Sequence, residues 1–169
     1  SVAAKNLNKR FVQLKKNGES YQPIEAAASS ILYPSNQYDN IYAAYADVTN
    51  YVRSKGDGRY YVADIATQSG NGGSVGYFGG WGMVVIYKNT SLKWRDITVF
   101  DGYAYMSGDV GAATLDVSGF IATQKGDVNV TMGMMAAEGD VGISGDYFQM
   151  RHSGTTNTYT PLSHSGNTT

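Results

Sequence analysis

Three carboxylates, Glu138, Asp140 and Asp146, fall within nine positions of one another among glycines, in Glu138-Gly139-Asp140 and Gly145-Asp146. Carboxylates and the carbonyls of glycine turns are the hard oxygens that Ca²⁺ collects, about six to eight at a time. Asp101, Asp109 and Asp116 lie upstream. The spacing is neither that of an EF-hand loop nor that of a calcium-binding nonapeptide repeat. Turn carboxylates that cap backbone N–H groups are the competing reading. Glu138, Asp140 and Asp146 are the candidate metal ligands, and Ca²⁺ is the cofactor they would hold.

Paired acids also serve glycosidases, which set two of them about 5–9 Å apart across a cleft. No further acid–base signature accompanies these. His152 and His164 lie in the polar C-terminal stretch, no Gly-x-Ser-x-Gly elbow is present, and both read as loop histidines. The expectation is a non-enzyme, with a small carbohydrate-active hydrolase as the weaker alternative.

Tyrosine is the stronger functional clue. The chain has 14, and Tyr33, Tyr38, Tyr42 and Tyr45 crowd one loop-rich region. Tyr77 and Phe78 close a long Gly/Ser/Asn loop, Thr67 to Gly80, and Trp94 stands between Lys93 and Arg95 at a turn. A tyrosine presents a flat apolar face and a hydroxyl at low entropic cost, which suits stacking on sugars or peptide side chains. Tyr33, Tyr38, Tyr42, Tyr77, Phe78 and Trp94 are the candidate ligand-binding residues, with packing as the competing role. Tyr60, Tyr61, Tyr103 and Tyr105 fall in strand patterns and are expected to cover sheet faces.

The elements that must position these residues follow from composition and periodicity. Among 169 residues there are 21 glycines, 3 prolines and no cysteine, with 16% charged residues and a net charge of −1. That excludes disulfides and thiolate chemistry, and leaves no electrostatic footprint for nucleic acid. The longest apolar run is too short to span a bilayer, so no membrane insertion is expected. Arg10 to Leu14 alternates as a strand, Asn17-Gly18 signals a hairpin, and Pro23 confines the returning Ser20–Glu25 to a sheet edge. Ala26 to Ile41 reads as a strand end and a surface loop. A helix is expected over Ala46–Lys55, with Asp47 as N-cap, Val48, Tyr51 and Val52 on one face, and Gly56 closing it. Arg59 to Ile65 alternates as a strand.

The richest β-branched and aromatic stretch is Gly79 to Met106. Met83–Tyr87 predicts a buried strand and Ile97–Phe100 its partner, with Trp81 as a core anchor and Trp94 exposed. Strands are also expected over Thr114–Ala122, Asp127–Met134 and Tyr147–Met150, and a loop from Arg151 onward. The sum is one all-β domain over 1–169, a two-layer β-sandwich of jelly-roll type with one short helix.

Several of these stretches resemble a family. Tyr45-Ala46-Asp47-Val48-Thr49, Gly58-Arg59-Tyr60-Tyr61-Val62-Ala63, Gly79-Gly80-Trp81-Gly82-Met83-Val84-Val85-Ile86-Tyr87, Arg95-Asp96-Ile97-Thr98-Val99-Phe100-Asp101-Gly102 and Glu138-Gly139-Asp140 with Gly145-Asp146 occur in that order. The pattern resembles a domain of large bacterial cell-surface, repeat-containing, adhesin-like proteins. It lacks the family's aromatic strand ahead of Arg10–Leu14, as a fragment or a chain completed by a neighbour would. The resemblance implies extracellular display at the cell surface and adhesion to a glycan or protein of a host or neighbouring cell. It also leaves a structural stalk role open, in which an open sheet edge self-associates by strand donation. It carries no catalytic residues.

Overall fold

The computed structural model describes residues 8–33, 41–73, 76–106, 111–122, 125–137, 145, 147–152 and 158–162. They are mostly strand where regular, with one short helix and three small antiparallel sheets, an all-β arrangement. The chain divides into two units, Ser1–Met135 and Ala136–Thr169.

The first unit is built on a three-stranded sheet of order β2-β1-β5, from β1 (Phe11–Lys16), β2 (Gln22–Glu25) and β5 (Tyr60–Ala63). The central β1 pairs antiparallel with both neighbours, Gln13 lying opposite Pro23 on one side and Ala63 on the other. Pro23 has no N–H to give a ladder, and it stands on an edge strand as expected. Asn17-Gly18 lies at the turn as expected, but the turn is not of type I′. Glu19 N–H donates to the Lys16 carbonyl at 3.0 Å, and Gly18 takes φ 81° while Asn17 does not enter positive φ. A type I′ turn needs positive φ at both central residues.

Alternation sorts the side chains of β1 between two faces. Val12, Leu14 and Lys16 share one, and Leu14, 3% exposed, is buried there, as is Ala26 just after β2. Helix α1 (Thr49–Lys55) is tied to this face. Lys16 N–H donates to the Tyr51 hydroxyl at 3.2 Å, and Lys16 Nζ donates to the Lys55 carbonyl at 2.6 Å. The Tyr51 ring meets Tyr60 of β5 edge-on, centroids 6.4 Å apart. Three strands backed by a helix is the least that holds such a sheet in water.

The helix is shorter at its start than Ala46–Lys55, and Val48 rather than the expected Asp47 stands at its N-cap, with no side-chain cap bond; its C-terminal end follows the expected chemistry. Asp47 Oδ1 accepts the Thr49 N–H at 2.8 Å, and Gly56, at φ 68°, donates its N–H to the Val52 carbonyl at 2.8 Å. Lys55 in the last turn reaches Glu19 at 2.9 Å. Between β2 and α1 the expected loop holds a 3-10 turn (Ala28–Ser30) and a two-residue hairpin, β3 (Ile31–Leu32) against β4 (Ala43–Ala44).

The stretch expected to form the core does not. Residues 76–106, 111–122 and 125–137 carry no strand or helix. Val84 is 69% exposed and Tyr87 68%, Val85, Ile86, Ile97, Val99 and Phe100 are exposed as well, and Trp81 is exposed rather than a core anchor. The same holds for Leu115, Ile121, Val128 and Val130 in the two further strands expected downstream. β-Branched and aromatic side chains favour extended backbone, but a strand needs a partner on which cross-strand pairs can form. Among the described residues these segments have none. The polar break between them is a turn, closed by Leu92 N–H on the Asn89 carbonyl at 3.2 Å.

The second unit holds one hairpin, β6 (Phe148–Met150) with β7 (Thr160–Leu162). The first strand falls within the expected Tyr147–Met150. The second overturns the loop reading of the C-terminal stretch. Its Pro161, opposite Gln149, is tolerated because each strand of a two-stranded ladder has a free edge.

Candidate functional site

The β3–β4 hairpin places tyrosines at both of its ends. Ile31 lies opposite Ala44 and Leu32 opposite Ala43, so the same register carried one residue outward sets Tyr33 against Tyr42 and Ser30 against Tyr45. At the second end the Tyr45 N–H donates to the Ser30 carbonyl at 2.9 Å. At the first, Lys9 Nζ stands 5.0 Å from the Tyr33 ring centroid and 5.6 Å from that of Tyr42. Two of the candidate ligand-binding tyrosines thus meet on one ammonium, within the range of cation–π attraction.

Tyr42 is also an anchor. Its hydroxyl donates to the Ala66 carbonyl at 3.1 Å. Burial raises its pKa above the ordinary value, outweighing the lowering by that bond. Tyr33, 48% exposed, is the open member of the pair.

From Ala66 the chain enters the glycine loop, which folds back on itself. A Cβ on Gly72, at φ 71°, would sit 2.4 Å from the Gly76 carbonyl carbon, and one on Gly70 would sit 3.3 Å from the Tyr77 ring. Glycine is required here by close approach, not by mobility. Tyr77 and Phe78 remain exposed at the closing side.

Trp94 is 78% exposed, as expected, and its carbonyl accepts from its neighbour Arg95. The structure gives no contact of Trp94 with the tyrosine cluster. Tyr38, and the candidate metal ligands Glu138, Asp140 and Asp146, lie outside the described residues. Among the described residues no three His, Asp or Glu side chains gather as a metal site, and no helix is long and apolar enough to cross a membrane.

The sequence reading missed a groove. It is an open surface depression of about 400 Å³ between β2 and the Ser30–Tyr45 end of the hairpin, lined by Pro23, Ile24, Glu25, Ala27, Ser30, Tyr45, Ala46 and Asp47. Tyr45, 51% exposed, offers it an aromatic wall. Glu25 Oε1 accepts from Arg10 Nη2 at 2.7 Å, and Arg10 Nε donates to the Ala26 carbonyl at 2.8 Å, so one guanidinium orients the carboxylate and the backbone beside it. Asp47 is held ionised: hydrogen bonds from Thr49 keep its carboxyl below the usual range, with a smaller contribution from Arg53. The groove is thus lined by one aromatic residue, by two acidic residues whose carboxylates accept hydrogen bonds, and by Ser30. Tyr45 stood in the crowded tyrosine region, but nothing local in the sequence places β2 beside it.

The sheet carries a second aromatic–cation array. Lys15 Nζ lies 4.6 Å from the Tyr21 ring centroid and 5.7 Å from that of Tyr61. Tyr61 faces Lys15 directly in the ladder. It does more than cover a sheet face, and the period-two placement of Lys15 against it is the signal that could have found it.

No protein-family model, curated protein or solved structure matches this chain.

Proposed function

We propose that this chain is a non-catalytic binding module of an extracellular, adhesin-like bacterial surface protein, and that it recognises glycan through the groove between β2 and the β3–β4 hairpin. The observation that carries the reading is that Tyr45, Glu25 and Asp47 line one groove. A sugar offers an apolar ring face and several hydroxyl donors, which an aromatic wall and ionised acceptors match. Asp47, held below the usual carboxylate range, is a poor general acid; a glycosidase raises the pKa of that group. This supports binding over hydrolysis. The resemblance to surface adhesin domains supports the location.

The test is a glycan array followed by calorimetry on the best ligand. Tyr45→Ala is expected to abolish retention, and Asp47→Asn to weaken binding while sparing the fold, because the Asn side-chain oxygen can still accept the Thr49 N–H. An array on which no retained glycan depends on Tyr45 overturns the reading.

A second reading has its own observation. The β-branched run Val84–Tyr87 and the stretch Ile97–Phe100 are exposed and unpaired, while β5 is an open edge of the sheet. A structural subunit completed by a strand from a neighbouring molecule would satisfy both. Sedimentation across a concentration series decides it, since a monomer at every concentration removes it.

A further inference from the structure

One face of the three-stranded sheet is left with an uncompensated cation. By alternation Phe11, Gln13 and Lys15 of β1 share the face opposite α1, with Pro23 and Glu25 of β2, and Tyr61 and Ala63 of β5. Tyr21 joins it one residue before β2. Glu25 is the only carboxylate among these residues. It sits at the far end of the face, opposite Phe11, where Arg10 already holds it at 2.7 Å.

Two other lysines near the sheet are spoken for. Lys55 pairs with Glu19 at 2.9 Å, and Lys16 donates to the Lys55 carbonyl. Lys15 instead has an aromatic ring on either side, at 4.6 and 5.7 Å. Among the described residues no carboxylate pairs with it. Rings that flank an ammonium displace part of its water while leaving its charge unneutralised, which strengthens its pull on an incoming anion. Tyr21 and Tyr61 lie on chains flanking β1, two strand spacings or about 10 Å apart. Tyr21 is exposed and Tyr61 half-buried.

We propose that this face is a second binding surface, for an acidic polysaccharide. A carboxylate of the polymer pairs with Lys15, and the sugar rings beside it lie against Tyr21 and Tyr61. The charge selects the occupant: one ammonium, no competing carboxylate within reach, and flat apolar surface on each side. The site is separate from the Tyr45 groove and stands or falls without it.

The experiment is calorimetry with polygalacturonate, using its fully methyl-esterified form and dextran sulfate as comparators. Polygalacturonate is expected to bind and the neutral ester not to. Lys15→Gln is expected to lower affinity about tenfold or more, the share of a charge-assisted pair, and Lys15→Arg to keep it. Tyr21→Ala is expected to weaken binding, while Tyr45→Ala and the exposed Lys93→Ala leave it unchanged. Melting curves of each variant confirm the fold, and Lys15→Arg keeps the charge test valid if Lys15→Gln is destabilised. The proposal is overturned if polygalacturonate does not bind, if the ester binds equally, if Lys15→Gln in a folded protein has no effect, or if dextran sulfate binds more tightly than polygalacturonate through Lys93.

Discussion

The backbone N–H of Lys16, the last residue of β1, donates to the hydroxyl of Tyr51 on α1 at 3.2 Å. A strand group is thereby satisfied by a helix side chain, and the same ring meets Tyr60 of β5 edge-on. Tyr51 thus ties the helix to two of the three strands. Tyr51→Phe keeps the ring contact and orphans a half-buried donor, which costs about 1 kcal/mol or somewhat more. Tyr51→Ala adds the loss of the aromatic pair and is expected to cost more still. Urea unfolding of both variants measures the two steps separately.

Stability is expected to fall off on the alkaline side. Burial raises the Tyr42 hydroxyl above its ordinary 10.0. Tyr60 is raised by desolvation and then by Tyr51, and Lys55 is raised above 10.5 by its hydrogen bond to Glu19. Each group holds its proton more tightly folded than unfolded, so its contribution is complete below its unfolded value and is lost as pH rises through the folded one. Asp47 runs the other way, its contribution present above 3.8 and lost as pH falls through its lowered value. Melting temperature against pH should show a plateau, with the larger decline above about pH 10. Tyr42→Phe should soften that decline.

The hairpin turn separates two neighbours that look alike in sequence. Gly18 sits at φ 81° with open space around its Cα, whereas Asn17 stays out of the positive region. Gly18→Ala is expected to cost about 1 kcal/mol through backbone strain alone. Asn17→Ala should cost a few tenths at most, where a type I′ turn would penalise both. Thermal unfolding of the two single variants checks it.

What could be read in advance was local. Asn17-Gly18 closes the β1–β2 turn, Pro23 marks an edge, and Asp47 with Gly56 brackets the helix, because each acts within a few residues of itself. Tyr33 and Tyr42 were legible as candidates from crowding, but their meeting on Lys9 depends on the β3–β4 register. The groove was illegible because its walls, Glu25 and Tyr45, are brought together only by tertiary approach. Val84 and Ile86 show the converse failure. Their strand propensity is plain in the sequence, yet propensity specifies extended backbone and not the partner that would bury it.

That mismatch supplies the sharpest test of the neighbour-completed reading. Val85 is exposed in the middle of the unpaired run, and β5 presents an open edge, whereas Pro23 blunts the opposite edge of the same sheet. If a second molecule pairs its Val84–Tyr87 with that edge, burying one valine contributes about 1.5–3 kcal/mol to the contact. Val85→Lys would then forfeit that burial and set a charge in the interface, the device by which natural edge strands resist pairing. The expected outcome is a concentration-dependent dimer for the parent chain and at least a tenfold weaker one for the variant by sedimentation equilibrium. The Asn17 N–H donates to the Arg59 carbonyl, so in the same register Tyr61 and Ala63 turn their N–H groups toward β1, and Val62 turns its N–H outward on the receiving edge. Amide exchange at Val62 that slows with concentration would therefore report the pairing directly. Equal association of parent and Val85→Lys would leave the apolar run without a part in any contact between copies.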